Sequence, residues 1–310
     1  MKETKGRNRT NRWCLLLAPL VCLLFAACEK VTLDENGHST DGKKGNLTIT
    51  AQAFSVTPFE SAGNAPMHAS TRSSVDIKQV CSRLSISVFR NDEKVAGVTQ
   101  SSTDKDFGKA SFTLSEGVYE IVVIGHNGNG AATISYPYRI TFANNLVSDT
   151  FYAYQELTVT GDKQDVAITT SRSVSMFRFL LTDTIPSVVK KMKFYYTGGS
   201  STFDATSGFG CVNSRQTVTF DVKSDDRQFD LYTFPHATED ELKMTVTALD
   251  NAGNTIQQKV FDAVPLIINC ITTCEGAFFG DLGGDIITDG NQMTIWADSP
   301  EWNDTIKISF

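Results

Sequence analysis

Apolar residues recur along this chain at a spacing of two, in short runs broken by turn residues. That is the pattern of half-buried β-strands, not of helices. Leu47-Thr48-Ile49-Thr50-Ala51-Gln52-Ala53 is the first such run. Residues 84–89 and 93–98 read as the arms of a hairpin through Asn91-Asp92, and residues 112–114 and 119–124 as strands either side of Glu116-Gly117. Val122-Val123-Ile124 is apolar on both faces, which predicts a central strand. Residues 151–159 and 166–170 complete a first set. A second set begins near Ser173: residues 176–181, 193–197, 217–222, 229–234, 242–249, 255–261, 267–273, 293–296 and 305–310. Asp250-Asn251-Ala252-Gly253-Asn254 is a hairpin turn within it, and residues 185–191 predict one short helical turn. No helical run is long enough for a βαβ crossover, which disfavours α/β folds. The expected fold is all-β, two β-sandwiches in tandem over residues 47–172 and 173–310.

The start of the chain departs from this pattern. Five bases (Lys2, Lys5, Arg7, Arg9, Arg12) and one acid (Glu3) precede an uncharged run from Trp13 to Cys28. A basic segment, a short apolar run and small residues before a break form the layout of a secretory signal. The run is also about the length of a minimal membrane span, so an uncleaved anchor competes with that reading. Leu24-Phe25-Ala26-Ala27-Cys28 decides for cleavage, because it resembles a bacterial lipobox, with small residues for the peptidase and the Cys28 thiol to take the lipid. The expectation is a lipoprotein signal peptide at 1–27, a polar tether at 28–46, and no transmembrane helix in the mature chain. Acyl chains contribute about 0.8 kcal/mol per buried methylene, enough in combination to hold a protein on a membrane.

Composition refines this. The 310 residues carry a net charge of −7, and removing the first 27 leaves −11. Nothing in that balance would displace counterions from a phosphate backbone, so nucleic acid is not an expected partner. Cys81, Cys211, Cys270 and Cys274 remain beyond the signal and Cys28, and their spacing does not choose among the three pairings open to them. Cys270 and Cys274 share a face if their segment is a strand, as buried thiols or as a disulfide. No second close cysteine pair or histidine accompanies them, so no metal is expected.

Catalytic patterns are lacking. His38, His68, His126 and His236 are scattered, and no zinc-protease helix, nucleophile elbow or phosphate loop occurs. Residues 125–130, Gly-His-Asn-Gly-Asn-Gly, lack the spacing of a dinucleotide loop and read as a flexible turn. Asp225, Asp226, Glu239, Asp240 and Glu241 fall in turns, where solvated charge is ordinary. The expectation is no enzyme, no cofactor and no metal. Tyr136, Tyr138, Trp296 and Trp302 could line a sugar-binding face, although sheet core or rim is the plainer role at strand spacing.

The two ends of the folded region carry more information. The first strand is separated from the body by a loop over 57–75 rich in Ser, Ala, Pro and Gly, which holds Arg72. The chain finishes on an alternating run with Ile306, Ile308 and Phe310 on one face. Leu47, Ile49 and Ala51 at one end, and Ile306, Ile308 and Phe310 at the other, suit strand donation into a neighbour, where backbone ladders give affinity and alternate side chains give specificity. Each segment could equally complete its own sheet.

Several segments in order carry a resemblance. They are Arg178-Phe179, Ile185-Pro186, residues 192–205 (Met-Lys-Phe-Tyr-Tyr-Thr-Gly-Gly-Ser-Ser-Thr-Phe-Asp-Ala) and residues 208–216 (Gly-Phe-Gly-Cys-Val-Asn-Ser-Arg-Gln). Residues 231–236 and 245–250, Cys81-Ser82-Arg83-Leu84 with Val88-Phe89, Gly276-Ala277-Phe278-Phe279 and Trp302 before the last strand complete the set. Together they resemble the fimbrial subunit and anchor lipoproteins of Bacteroidetes, nearest the FimB-like anchor group of the FimA-type fimbrillin superfamily. The resemblance implies two transthyretin-like β-sandwich domains, lipidation at Cys28, and a place on the outer-membrane surface. It implies other fimbrial subunits as partners, and a role in adhesion to a host or bacterial surface ligand. In polymerising members an arginine-specific protease removes the first strand, and Arg72, in the loop after residues 47–53, is the position here that could play that role. Anchor members keep both strand and lipid. The alternative expectation is a surface lipoprotein that binds glycans through its aromatics.

Overall fold

The computed structural model describes residues 44–55, 73–280, 294–298 and 306–308. The first half of the fold holds β1 (Lys44–Ser55), β2 (Ser73–Asp76), β3 (Arg83–Arg90), β4 (Glu93–Ser101), β5 (Lys109–Ser115), β6 (Gly117–His126), β7 (Thr133–Tyr136), β8 (Arg139–Thr141), β9 (Thr150–Val159) and β10 (Gln164–Arg172). The second half holds β11 (Ser175–Leu181), β12 (Lys191–Thr197), β13 (Thr202–Asp204), β14 (Phe209–Gly210), β15 (Arg215–Asp221), β16 (Gln228–Thr233), β17 (Glu239–Leu249), β18 (Thr255–Ile267), β19 (Ile271–Gly276), β20 (Thr294–Asp298) and β21 (Ile306–Ile308). Helix among the described residues is limited to two single 3₁₀ turns. The protein is all-β, as its alternating pattern predicts.

In the first half the strand order is β2-β1-β10-β9-β6-β3-β4, with β5 also paired to β1. β10 joins two layers: it runs alongside β1 from Gln164 to Thr170, and its last residues, Ser171 and Arg172, pair with Tyr152 and Phe151 of β9. One cluster fills the space between the layers. Leu47, Ile49, Ala51 and Ala53 of β1 and Ala110, Phe112 and Leu114 of β5 meet Leu84, Ile86 and Val88 of β3 and Tyr119, Ile121 and Val123 of β6. The β3–β4 hairpin turns on Asn91 (φ 54°) and Asp92 (φ 64°), the two left-handed residues that match the twist of paired strands.

The second half has two sheets, β15-β12-β17-β18 and β16-β11-β19-β20-β21. Its core is aromatic: Phe177, Phe179, Phe194, Tyr196, Phe229, Phe278 and Phe279 pack with Met192, Met244, Val246 and Leu266. A third cluster binds the halves to each other. The outer faces of β3 and β6 give Phe89, Val122 and Ile124, which meet Met176, Phe203, Phe234 and Ile271 of the second half. That burial on both faces is why Val122-Val123-Ile124 carries no polar alternation.

The connection between halves is short and pinned. Arg172 grips Asp149 bidentately, Nε to Oδ1 at 2.6 Å and Nη2 to Oδ2 at 2.9 Å, and donates through Nη1 to Asn269 Oδ1 at 3.0 Å. Its guanidinium lies 4.7 Å from the centre of the Phe151 ring. Ser173 donates from both N and Oγ to the Thr150 carbonyl, and Asn269 N donates to the Val174 carbonyl. A small sheet, β14-β13-β8-β7, also crosses between halves through the pairs Thr202↔Thr141 and Phe203↔Ile140.

Two local expectations change. Residues 185–191 form one reverse turn, closed by Val189 N donating to the Pro186 carbonyl at 2.9 Å, because Lys190 N is drawn to the Leu249 carbonyl instead of continuing a helix. Gly125 and His126 extend β6 instead of turning, opposite Phe151 and Thr150. A Cβ at Gly125 would come within 2.8 Å of Cys81 Sγ, so glycine serves close approach there and not flexibility.

Candidate functional site

The first strand is the element whose surroundings invite a functional reading. Thr48 is nearly buried, and Leu47, Ile49, Ala51 and Ala53 are 0–3% exposed. On one side β1 pairs in parallel with β10, from Leu47↔Gln164 to Ala53↔Thr170. On the other it changes partner: β5 accompanies Lys44–Thr50 and β2 accompanies Gln52–Ser55, both antiparallel. Side chains reinforce the ladders. Thr48 Oγ1 and Ser111 Oγ share a hydrogen bond at 3.2 Å, Thr113 Oγ1 donates to Asn46 Oδ1 at 3.1 Å, and Thr170 Oγ1 donates to the Gln52 carbonyl at 3.1 Å.

At the change of partner, Ala51 N donates to the Gly108 carbonyl at 2.7 Å. A cleft of about 310 Å³ opens there, lined by Thr50, Ala51, Gln52, Asp76, Phe107, Gly108 and Lys109. Gln100 holds its rim in place. Its Nε2 donates to the carbonyls of Asp106 and Lys109, and its Oε1 accepts from Gly108 N at 3.0 Å. Gly108 sits at φ +92°, a conformation that side chains disfavour.

β1 therefore lies within its own sheet, flanked on both sides, and connects to the rest of the fold through residues 56–72. Ser73, the first residue of β2, stands opposite Ser55, the last of β1. Leu47, Ile49 and Ala51 are thus brought together on one buried face. Arg72 and Cys28 lie outside the described residues. At the other end, β21 is the outermost strand of its sheet. Ile306 stands opposite Ala297 and Ile308 opposite Ile295 of β20, while Phe310 lies outside the described residues.

The other sequence candidates disperse. Cys81, Cys211, Cys270 and Cys274 stand as thiols, Cys211 exposed and the rest buried. Burial pushes the Cys81 and Cys274 thiols up to about 12, with the Asp149 charge adding to the first, so neither is poised as a nucleophile. Burial, aided by the Arg83 charge, pulls His126 down to about 4. His126 Nδ1 accepts from Gly128 N at 3.1 Å, and the ring meets Phe142 edge-on at 5.2 Å. His236 Nδ1 contacts Asp240 Oδ2 and the Gly198 carbonyl, each at 3.1 Å, while its Nε2 contacts the Val212 carbonyl at 3.2 Å, an arrangement that ties three segments. Asp225 and Glu239 form no cluster with these. Among the described residues no three His, Cys, Asp or Glu side chains are grouped to hold a metal ion.

Tyr136 and Tyr138 are exposed and stacked on each other, and Trp296 falls in β20; Trp302 lies outside the described residues. Alternation along the chain does not reveal the cleft beside Ala51 or Arg139, which pairs with Tyr136. Gly108 and the Tyr-Pro-Tyr-Arg turn were the only local signals of either.

Comparison with known proteins adds a family. A family model described as a family of unknown function, DUF6562, matches residues 40–303. The chain belongs to that family. No curated protein matches it in sequence. Among solved structures, the fimbrial anchor protein Mfa2 from Porphyromonas gingivalis is similar at 12% identity and a TM-score of 0.45, over 86% of this chain and 100% of that one. A fimbrial assembly protein from Parabacteroides distasonis ATCC 8503 is similar at 11% identity and a TM-score of 0.44, over 87% of this chain and 100% of that one. The DUF6562 match begins four residues before β1 and so takes in the whole of the strand and its groove.

Proposed function

We propose that this chain is a structural subunit of a surface fimbria, an anchor or accessory piece held at the outer membrane by lipid on Cys28. The observation that carries the reading is β1: an apolar strand seated between β10 on one side and β5 and β2 on the other, reaching the body only through the segment that contains Arg72. Cleavage after Arg72 would start the chain at the first residue of β2 and leave β1 held by its ladders alone. Keeping β1 fills the groove and leaves sheet edges as the surfaces for neighbours, with β21 one such edge. An edge strand presents unpaired N–H and C=O groups that another subunit's strand can continue. The ordered motifs across residues 81–302 that resemble Bacteroidetes fimbrial anchors support the same role. In that role the chain supports adhesion as part of the fibre, without catalysis.

Deleting this chain from its native cell tests the reading. An anchor predicts that fibres still assemble but are shed into the medium, and that Cys28→Ala releases the protein from the membrane fraction with the same effect. Fibres that stay on the cell in unchanged amount after deletion would contradict it.

A further inference from the structure

The β7–β8 hairpin carries an arrangement distinct from the strands assigned above to assembly. Its register runs Thr133↔Thr141, Ile134↔Ile140 and then Tyr136↔Arg139, so Ser135 is an extra residue, a β-bulge. Without the bulge, Tyr136 would share the face of Ile134, which is buried; with it, Tyr136 joins exposed Arg139 on the opposite face. Bulges re-aim side chains in this way and concentrate beside functional sites. Tyr138 follows in the turn, and the two rings lie parallel, 7° apart with centroids at 5.1 Å. They remain 43% and 45% exposed.

The turn is clamped from beneath by the second half of the fold. Ala205 N donates to the Pro137 carbonyl at 3.0 Å, and the Cys211 thiol donates to the Tyr138 carbonyl at 3.7 Å. The Asp204 carboxylate fixes the adjoining bend, accepting from Thr206 N at 2.8 Å and from Thr206 Oγ1 at 2.6 Å. Two flat, amphipathic rings are thus displayed on a fixed backbone, where binding costs little conformational entropy.

We propose that the Tyr136–Tyr138–Arg139 turn is a carbohydrate-binding platform for a hexopyranose unit of a surface glycan. The C–H face of a pyranose ring is flat, weakly apolar and edged with hydroxyls. It matches an exposed tyrosine face with phenol hydroxyls, and Arg139, paired with Tyr136 on the same face of the hairpin, supplies a charged donor from the same turn. The other occupants of exposed aromatics fit less well. A nucleobase would bring phosphate charge to a chain of net charge −7. A cation is repelled by Arg139, and a proline-rich peptide needs a groove where this hairpin offers a projecting turn. The inference does not depend on the fimbrial role, since the site is remote in sequence from both β1 and β21.

The test uses the full chain in detergent on an array of neutral and uronate-containing oligosaccharides, followed by calorimetric titration of the strongest ligand. Tyr136→Ala and Tyr138→Ala should each weaken binding about tenfold or more, a loss of about 1.4 kcal/mol. Tyr138→Phe should keep affinity within about threefold, because stacking survives, and Arg139→Ala should weaken uronate ligands most. All four substitutions fall at solvent-exposed positions, so the melting temperature should not move. No glycan bound on the array, a glycan bound equally by the Tyr136→Ala/Tyr138→Ala double variant, or a proline-rich peptide bound in its place would each overturn the proposal. The double variant should still enter fibres, so failure here is distinct from failure of the fimbrial reading.

Discussion

β1 and β11 occupy matching places in the two halves of this fold. Each opens its half, and each pairs in parallel with a late strand, β1 with β10 and β11 with β19. What they bury differs. β1 contributes Leu47, Ile49, Ala51 and Ala53, aliphatic side chains that shrink along the strand. β11 contributes Phe177, Phe179 and Leu181. The Phe179 ring alone meets Phe177, Phe194, Phe261 and Phe278 at 5.6–6.4 Å between centroids. β11 is further fixed by the Arg178–Asp230 pair, Nε to Oδ1 at 2.8 Å and Nη2 to Oδ2 at 2.9 Å. An aromatic strand held by edge-to-face geometry is committed to one set of neighbours. An aliphatic strand held mainly by its backbone ladders accepts a range of similar sequences, because volume and pattern matter more than shape. By that contrast β1, more than β11, has the makeup of a strand that a similar sequence could replace.

The sharpest way to break that comparison is Phe179→Ala. It should cost about 4 kcal/mol, the range for deleting a fully buried ring, measured by guanidinium unfolding. A cost near that of a surface substitution would show that the aromatic cluster does not commit β11.

Acid should separate the halves next. His126 lies on β6 in the first half, and burial holds its pKa near 4 against about 6.5 in the unfolded chain. Because the folded value is depressed, the neutral ring is favoured in the fold. Its stabilisation is complete above about pH 6.5 and declines as pH falls toward 4, by about 3 kcal/mol in all. Hydrogen exchange should therefore show β6 and β9 amides losing protection before those of β11 and β12, and His126→Gln should flatten the decline. Simultaneous loss across both halves would contradict the difference.

Two smaller effects probe β1 itself. Gly108→Ala should cost about 1–2 kcal/mol, because φ +92° is strained for a side chain and the new Cβ would meet Ile77 Cγ2 at 3.0 Å. Amide exchange at Ala51, whose N–H donates to the Gly108 carbonyl, should rise most. Ile49→Val should cost about 1 kcal/mol, the usual value for one methylene in a core, with no change in β1 pairing. A cost near that of Phe179→Ala would place β1 in the same class as β11.

Much of this architecture is legible in the sequence, and the limits have physical causes. Long strands with one buried face declare themselves by alternation, as Phe112 and Leu114 do in β5 and Phe194 and Tyr196 in β12. β13 and β14 do not, being three and two residues long and defined by partners from elsewhere. Gly210 lies so close to Ser200 and Phe234 that a Cβ would meet Ser200 Cβ at 2.4 Å, a constraint no local pattern records. Alternation places Leu47, Ile49 and Ala51 on one face but is silent on neighbours. It could not foretell that β1 pairs in parallel with β10 or changes partner at Ala51. The bulge at Ser135 is hidden for the same reason: a one-residue shift in register follows from the partner strand and not from Tyr136.

The central claim is that this subunit keeps β1 in its own groove while serving in the fibre. Mass analysis of the N-terminus of the protein recovered from assembled, cell-attached fibres tests it most directly. The account predicts a chain that begins at lipidated Cys28 and still contains residues 44–55. A chain beginning at Ser73 would contradict it and make the β1 groove a site filled by a neighbour.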